Sequence, residues 1–100
     1  MGRSTHISLF FVVMKSEYDQ LLSWPMHKRI TFELINHENE ADNVVESFVC
    51  NPMSSSFQRP TNNMNVAAGC PTFISIERFL TGGFVADDCA YIKTLVQDAN

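Results

Sequence analysis

Three consecutive hydroxyls, Ser54, Ser55 and Ser56, run directly into Phe57 in the word NPMSSSFQRP. Each serine side chain carries one donor and two acceptor sites. Presented together they form a comb that could hold the polar side chain of an incoming ligand, each bond netting roughly 0.5–1.5 kcal/mol. The competing reading is a solvated loop or a helix cap, where serine competes best for backbone hydrogen bonds. The serines alone leave both readings open.

A second group of residues suits nucleophilic chemistry. Cys70 follows Gly69, and His6, His27 and His37 supply imidazoles that could activate a thiol. Yet His27 and His37 flank a strand at turn-like positions, and cysteine more commonly packs as a small apolar side chain. Cys50, Cys70 and Cys89 form an odd set without a CxxC pair. That fits reduced thiols in a cytoplasmic protein better than a disulfide framework or a zinc site. Neither metal-ligand spacing nor a cofactor motif is present, so no cofactor is expected and the metal expectation is none. Asp87 and Asp88 are adjacent carboxylates, and a turn or strand entry suits them better than acid–base work. An enzyme is not expected.

These residues must be positioned by a single domain spanning residues 1–100. With 45% hydrophobic residues and eight Phe, the chain calls for a packed core. The net charge is −4, and the seven Lys and Arg are scattered without a basic stripe. Nucleic acid and anionic membrane surfaces are therefore not the expected partners. The longest apolar run, Leu9–Met14, is far too short to span a bilayer. A signal-peptide pattern and Asn-x-Ser/Thr sequons are both absent from the sequence, which agrees with a cytoplasmic setting.

Period-two patterning supplies the elements. In HISLFFVVMK, Ile7, Leu9, Phe11 and Val13 share a core face, which leaves Phe10 among polar neighbours. KRITFELIN alternates most strictly, with Ile30, Phe32 and Leu34 on one side. In VVESFVC, Phe48 shares a face with Glu46, a second aromatic on a side the pattern leaves polar. TFISIERFL is ambiguous between a strand running into a helical turn and a short helix, and AYIKTLVQ is a last strand. The class is all-β, an antiparallel sandwich, although a self-sufficient sandwich has about seven strands. Phe10, Phe48 and Phe57 beside the hydroxyl comb would make a shallow pocket, apolar inside and polar at its lip.

The words THISLFFVVMKSEYDQLLSWP, NPMSSSFQRPTNNMNVAAGCPTF and VADDCAYIKTLV resemble the C-terminal domain of the tumour-necrosis-factor-receptor-associated factors, the TRAF branch of the MATH fold. The resemblance runs over essentially the whole chain. It implies a β-sandwich that binds short extended peptides from cytoplasmic tails of TNF-receptor-type receptors, as an adaptor in signal transduction. In such domains the peptide pairs along an edge strand while its side chains enter neighbouring pockets.

By position, the resemblance assigns Ser54, Ser55 and Ser56 to a Gln or Glu side chain of the peptide. It assigns Phe10, Phe48 and Phe57, with Gly69 as a floor that leaves room, to a small side chain. Ala67, Ala68 and Gly69 become the edge backbone that pairs with the peptide. The irregular segment 51–71 is then expected to meet ligand rather than core. The resemblance also implies that the chain is N-terminally truncated, lacking the first strands and the hairpin that holds the peptide's acidic residue. Arg3 lies near that hairpin and is not given its role. Family members are trimers through a coiled coil that is absent here, so homo-oligomerisation would need another basis. The isolated chain is expected to be poorly stable, with Phe10, Val12 and Met14 most exposed. The alternatives are a fragment or decoy without peptide binding of its own, and a MATH domain of a ubiquitin-pathway protein.

Overall fold

The first alternating segment forms β1 (His6–Phe11), and the strictest one forms β2 (Lys28–Leu34). β3 (Val44–Val49), β4 (Ala68–Ser75), a short helix α1 (Ile76–Thr81) and β5 (Ile92–Asp98) complete the order in this computed structural model, which describes residues 5–99. All strand pairs are antiparallel, in one sheet ordered β3-β2-β5 and a second made of β1 and β4. The expected all-β sandwich architecture is present, with one short helix.

β2 is central because its apolar residues close the core. Ile30, Phe32 and Leu34 are all buried, and Phe73 of β4 meets Phe32 edge-on at 6.5 Å between ring centroids. Ile7, Leu9, Phe11 and Val13 pack on this cluster from β1 and its continuation, the face the alternation assigned to them. Residues opposite one another across a ladder share a face. Ile30 stands opposite Phe48, Phe32 opposite Glu46, and Leu34 opposite Val44.

That register corrects the reading of Phe48. The face it shares with Glu46 and Val44 is the inner one, so Phe48 is where an apolar residue belongs and Glu46 is the misplaced residue. Phe48 accordingly packs against the core cluster. Phe10 does stand on the outer face of β1 and is 54% exposed.

β4 carries a bulge. Ile7 pairs with Ile74 and Leu9 with Cys70, so two steps on β1 match four on β4. Pro71 falls in the irregular part, where its missing N–H costs no ladder bond. The Ser8 hydroxyl donates to the Pro71 carbonyl at 2.5 Å. Beyond the bulge the ambiguous TFISIERFL resolves into strand and then helix. Ser75 makes the switch, its Oγ accepting from the Arg78 N–H at 3.1 Å as an N-cap.

Asp87 and Asp88 form the expected turn. Both are left-handed, with φ of 53° and 62°, and Ala86 and Cys89 exchange two backbone bonds across them. Asn36 is a buried polar hub that the alternation did not reveal. Its Oδ1 accepts from the Glu38 and Asn39 N–H groups, while its Nδ2 donates to the Gly82 carbonyl at 2.7 Å.

Besides Phe10 at 54% and Met14 at 63% exposure, a second uncovered apolar surface lies on β5. Ile92 and Val96 stand opposite Leu34 and Ile30, on the same inner face, yet they are 44% and 46% exposed. The two-stranded sheet does not extend over that side. The radius of gyration is accordingly 15.6 Å, against about 13 Å for a closed domain of this length.

Candidate functional site

The serine run folds as a single 3₁₀ turn, Ser55–Phe57, capped by Ser54. The Ser54 Oγ accepts from the Ser56 N–H at 3.1 Å. Three residues complete a turn of such a helix, so neighbouring side chains radiate about 120° apart. The three hydroxyls therefore have different surroundings. Ser54 is engaged as a cap, Ser55 is exposed, and Ser56 is buried.

Phe57 is likewise a core residue, 4% exposed. Its ring centroid lies 6.4 Å from that of Phe48, which in turn lies 6.3 Å from Phe32. Two of the three predicted aromatics are thus brought together beneath the serine turn. Phe10 joins no aromatic pair among the described residues, and its ladder partner is Gly69.

The segment is held by amide side chains. The Asn51 Oδ1 accepts from the Met53 N–H at 2.9 Å, and the Gln58 Nε2 donates to the Pro52 carbonyl at 2.6 Å. Asn65 Nδ2 donates to the Ser56 and Gln58 carbonyls. Beyond the end of β1, the Lys15 N–H donates to the Asn63 carbonyl and the Asn65 N–H to the Val13 carbonyl. Within this stretch Ser56, Phe57 and Pro60 are buried and belong to the core, while Ser55 and most of the remaining residues are exposed. Helix and strand patterns miss the segment because side chains, rather than a regular ladder, satisfy its backbone.

Gly69 leaves room, but for its own neighbour strand. A Cβ there would lie 2.1 Å from the Leu9 carbonyl oxygen and 2.8 Å from the Phe10 Cα. Its missing side chain lets β1 and β4 approach closely. Ala68 packs partly against the core, and Ala67 is exposed. β4 has β1 as its sole ladder partner among the described residues, so its second edge carries unpaired backbone groups.

Between the serine turn and the approach to β4 lies an open hollow of about 290 Å³. Ser55, Gln58 and Arg59 line it from one arm of the segment, and Met64, Asn65 and Val66 from the other. Of these, Arg59 and Asn65 went unnoticed in the sequence. A signal for Arg59 was available: it is the one charged residue between Glu46 and Glu77.

The imagined thiol site does not assemble. Cys70 stands opposite Leu9, and burial first, then the Glu46 carboxylate, push its thiol pKa up and away from the reactive thiolate. His37 instead packs edge-on against Tyr91 at 5.6 Å, and His6 Nδ1 lies 2.9 Å from the Thr5 hydroxyl. Arg3 lies outside the described residues. No helix of the described residues is long and apolar enough to cross a membrane.

The TRAF/meprin, MATH domain family matches residues 1–93. Human TNF receptor-associated factor 2 is 45% identical over 96 residues, covering 95% of this chain and 19% of that protein. Mouse TNF receptor-associated factor 5 is 41% identical over 97 residues, covering 95% of this chain and 17% of that protein. The solved structure of Notothenia coriiceps TRAF5 superposes with a TM-score of 0.90 at 31% identity, over 99% of this chain and 50% of that one. This chain therefore spans about a fifth of the curated relatives' length. The residues that carry the serine turn, the amide-tied segment and the bulged strand all fall within the matched region, and the chain belongs to the TRAF/meprin MATH-domain family.

Proposed function

We propose that this chain is a non-enzymatic, cytoplasmic adaptor module that binds short extended peptides from the tails of TNF-receptor-type receptors. One observation carries the reading. Ser55, the exposed hydroxyl of the serine turn, and Val66, two residues before the start of β4, line one open hollow, and β4 has a single ladder partner among the described residues. An extended peptide can add to the other edge of β4 through its backbone while a polar side chain reaches the turn.

In this reading Ser55 makes the direct contact. Ser54 holds the turn and retains its own O–H as a donor, Ser56 contributes from the turn's buried side, and Phe48 and Phe57 form the floor beneath. Ala67, Ala68 and Gly69 offer backbone, and exposed Phe10 packs against the ligand's flank. Peptide binding on so shallow a surface is expected to be weak.

Calorimetry with a peptide carrying a Pro-x-Gln-Glu core tests it. Ser55→Ala and Phe10→Ala should each weaken binding several-fold without lowering the melting temperature, since both side chains are exposed. Unchanged affinity in both variants would defeat the assignment.

The uncovered inner face of β5 favours a second reading, a chain that acts only with further strands supplied to that sheet. Size-exclusion chromatography separates the two. A monodisperse monomer with a cooperative melt supports the independent module, and aggregation supports the second reading.

A further inference from the structure

The two layers are offset. β3 packs over β4, and the apolar face of β1 joins the core beneath β2, but β5 makes no comparable contact with the other layer. All seven residues of β5 are exposed. Its inner face, with Ile92, Thr94 and Val96 opposite Leu34, Phe32 and Ile30, therefore overhangs the edge of β1 that β4 does not occupy. The overhang and that edge form a step.

The overhang also carries open backbone. The Ile35 N–H donates to the Tyr91 carbonyl, one position beyond the Leu34–Ile92 pair. Bonded and non-bonded pairs alternate along an antiparallel ladder, so the N–H and C=O groups of Ile92, Thr94 and Val96 point away from β2. Natural sheets guard such edges with proline, bulges or unpaired charge. β5 has no proline, and its ladder with β2 runs without a register shift. Its charged residues are both matched, Asp98 by an ion pair with Lys28 and Lys93 by standing opposite Glu33.

We propose that a second copy of this chain fills the step. The element that fits must be a strand, apolar toward Ile92 and Val96 and with open backbone toward β1. β5 itself meets both conditions. A twofold axis along the strands exchanges the two layers, so each copy's β5 enters the other's step, beside that copy's β1 and over its β5. Each layer then continues as β3-β2-β5 of one copy followed by β1-β4 of the other. One self-complementary patch is used twice, which closes the assembly at two copies. The open edge of β4 and the serine turn stay outside this interface, so the inference goes beyond peptide binding and is independent of it.

Sedimentation equilibrium and amide hydrogen exchange of the unmodified chain, each at low and high concentration, test it. The mass should rise with concentration to that of two copies and no further. The Thr94 and Val96 amides should exchange slowly in the concentrated sample and fast in the dilute one, while the Phe32 amide stays protected in both. Thr94→Lys, at an exposed inner-face position, should weaken dimerisation about 10-fold or more. Leu95→Lys, on the opposite face of β5, should weaken it far less.

A monomer mass at every concentration would overturn the proposal and leave the step to strands of another protein. Growth beyond two copies would overturn it too, as would equal exchange of Thr94 and Val96 at both concentrations. So would equal weakening by the two lysine variants. The exchange result comes from the unmodified chain, so it decides the matter even where a variant fails to fold. None of these outcomes bears on calorimetric binding of a peptide at Ser55, and the two readings fail separately.

Discussion

One side-chain nitrogen of Asn65 donates to two carbonyls of the serine turn, that of Ser56 at 3.0 Å and that of Gln58 at 2.7 Å. The two arms of the hollow are thereby fastened to each other, and Ser55 is held at its rim. Asn65→Ala leaves both carbonyls without this donor and is expected to cost about 1–3 kcal/mol in chemical denaturation. Asn65→Asp should cost at least as much, because a carboxylate cannot donate to a carbonyl. The Ser55 amide resonance should broaden or move in both variants.

Gly69→Ala places a methyl against the Leu9 carbonyl and the Phe10 Cα, both backbone atoms that cannot rotate aside. The β1–β4 pair must open locally, and the expected loss is about 1–3 kcal/mol or more. Hydrogen exchange should show faster opening at Leu9 and Phe10 than at β2. Retained stability and protection would show that the strands approach less closely than described.

The Asp87–Asp88 turn holds two side-chain-bearing residues at positive φ. Aspartate tolerates that region better than branched residues do. Asp88→Val is therefore expected to lower stability by about 1–2 kcal/mol. Asp88→Gly should not lower it, since glycine reaches this conformation without a steric penalty. Thermal melts of the two variants would separate the backbone effect from any loss of charge.

Cys70 has its pKa raised, mainly by burial and further by Glu46. A raised folded-state pKa means that the thiol's contribution to stability is complete below the ordinary thiol range. That contribution is lost as pH rises through the higher folded value. The melting-temperature difference between the parent and Cys70→Ala should thus be constant through neutral pH and narrow above about pH 8.5. At pH 7.5, iodoacetamide should modify exposed Cys89 first and fully buried Cys50 last, read by peptide mass spectrometry. Preferential labelling of Cys70 would instead revive the thiol-enzyme reading.

Strict alternation made β2 legible without coordinates, because one buried face with period two leaves little freedom of register. The same logic placed Ile7, Leu9, Phe11 and Val13 against the core. It failed at Phe48, since VVESFVC offers apolar residues to both faces and alternation cannot say which face is inner. Only the pairing of Phe48 with Ile30 settles that. The alternation also gave no warning that Ile92 and Val96 are uncovered, because a strand's pattern records its faces and not whether another layer lies above them.

The linear sequence by itself determined the family, the class of fold, the turn at Asp87–Asp88 and the run of hydroxyls at Ser54–Ser56, since each is a matter of local pattern or of long irregular words. The tertiary structure alone decided what those hydroxyls face. A 3₁₀ turn points successive side chains in different directions, so adjacency along the chain did not become adjacency in space. Arg59 and Val66 came to border one hollow with Ser55 only because Asn65 folds the intervening loop back on itself.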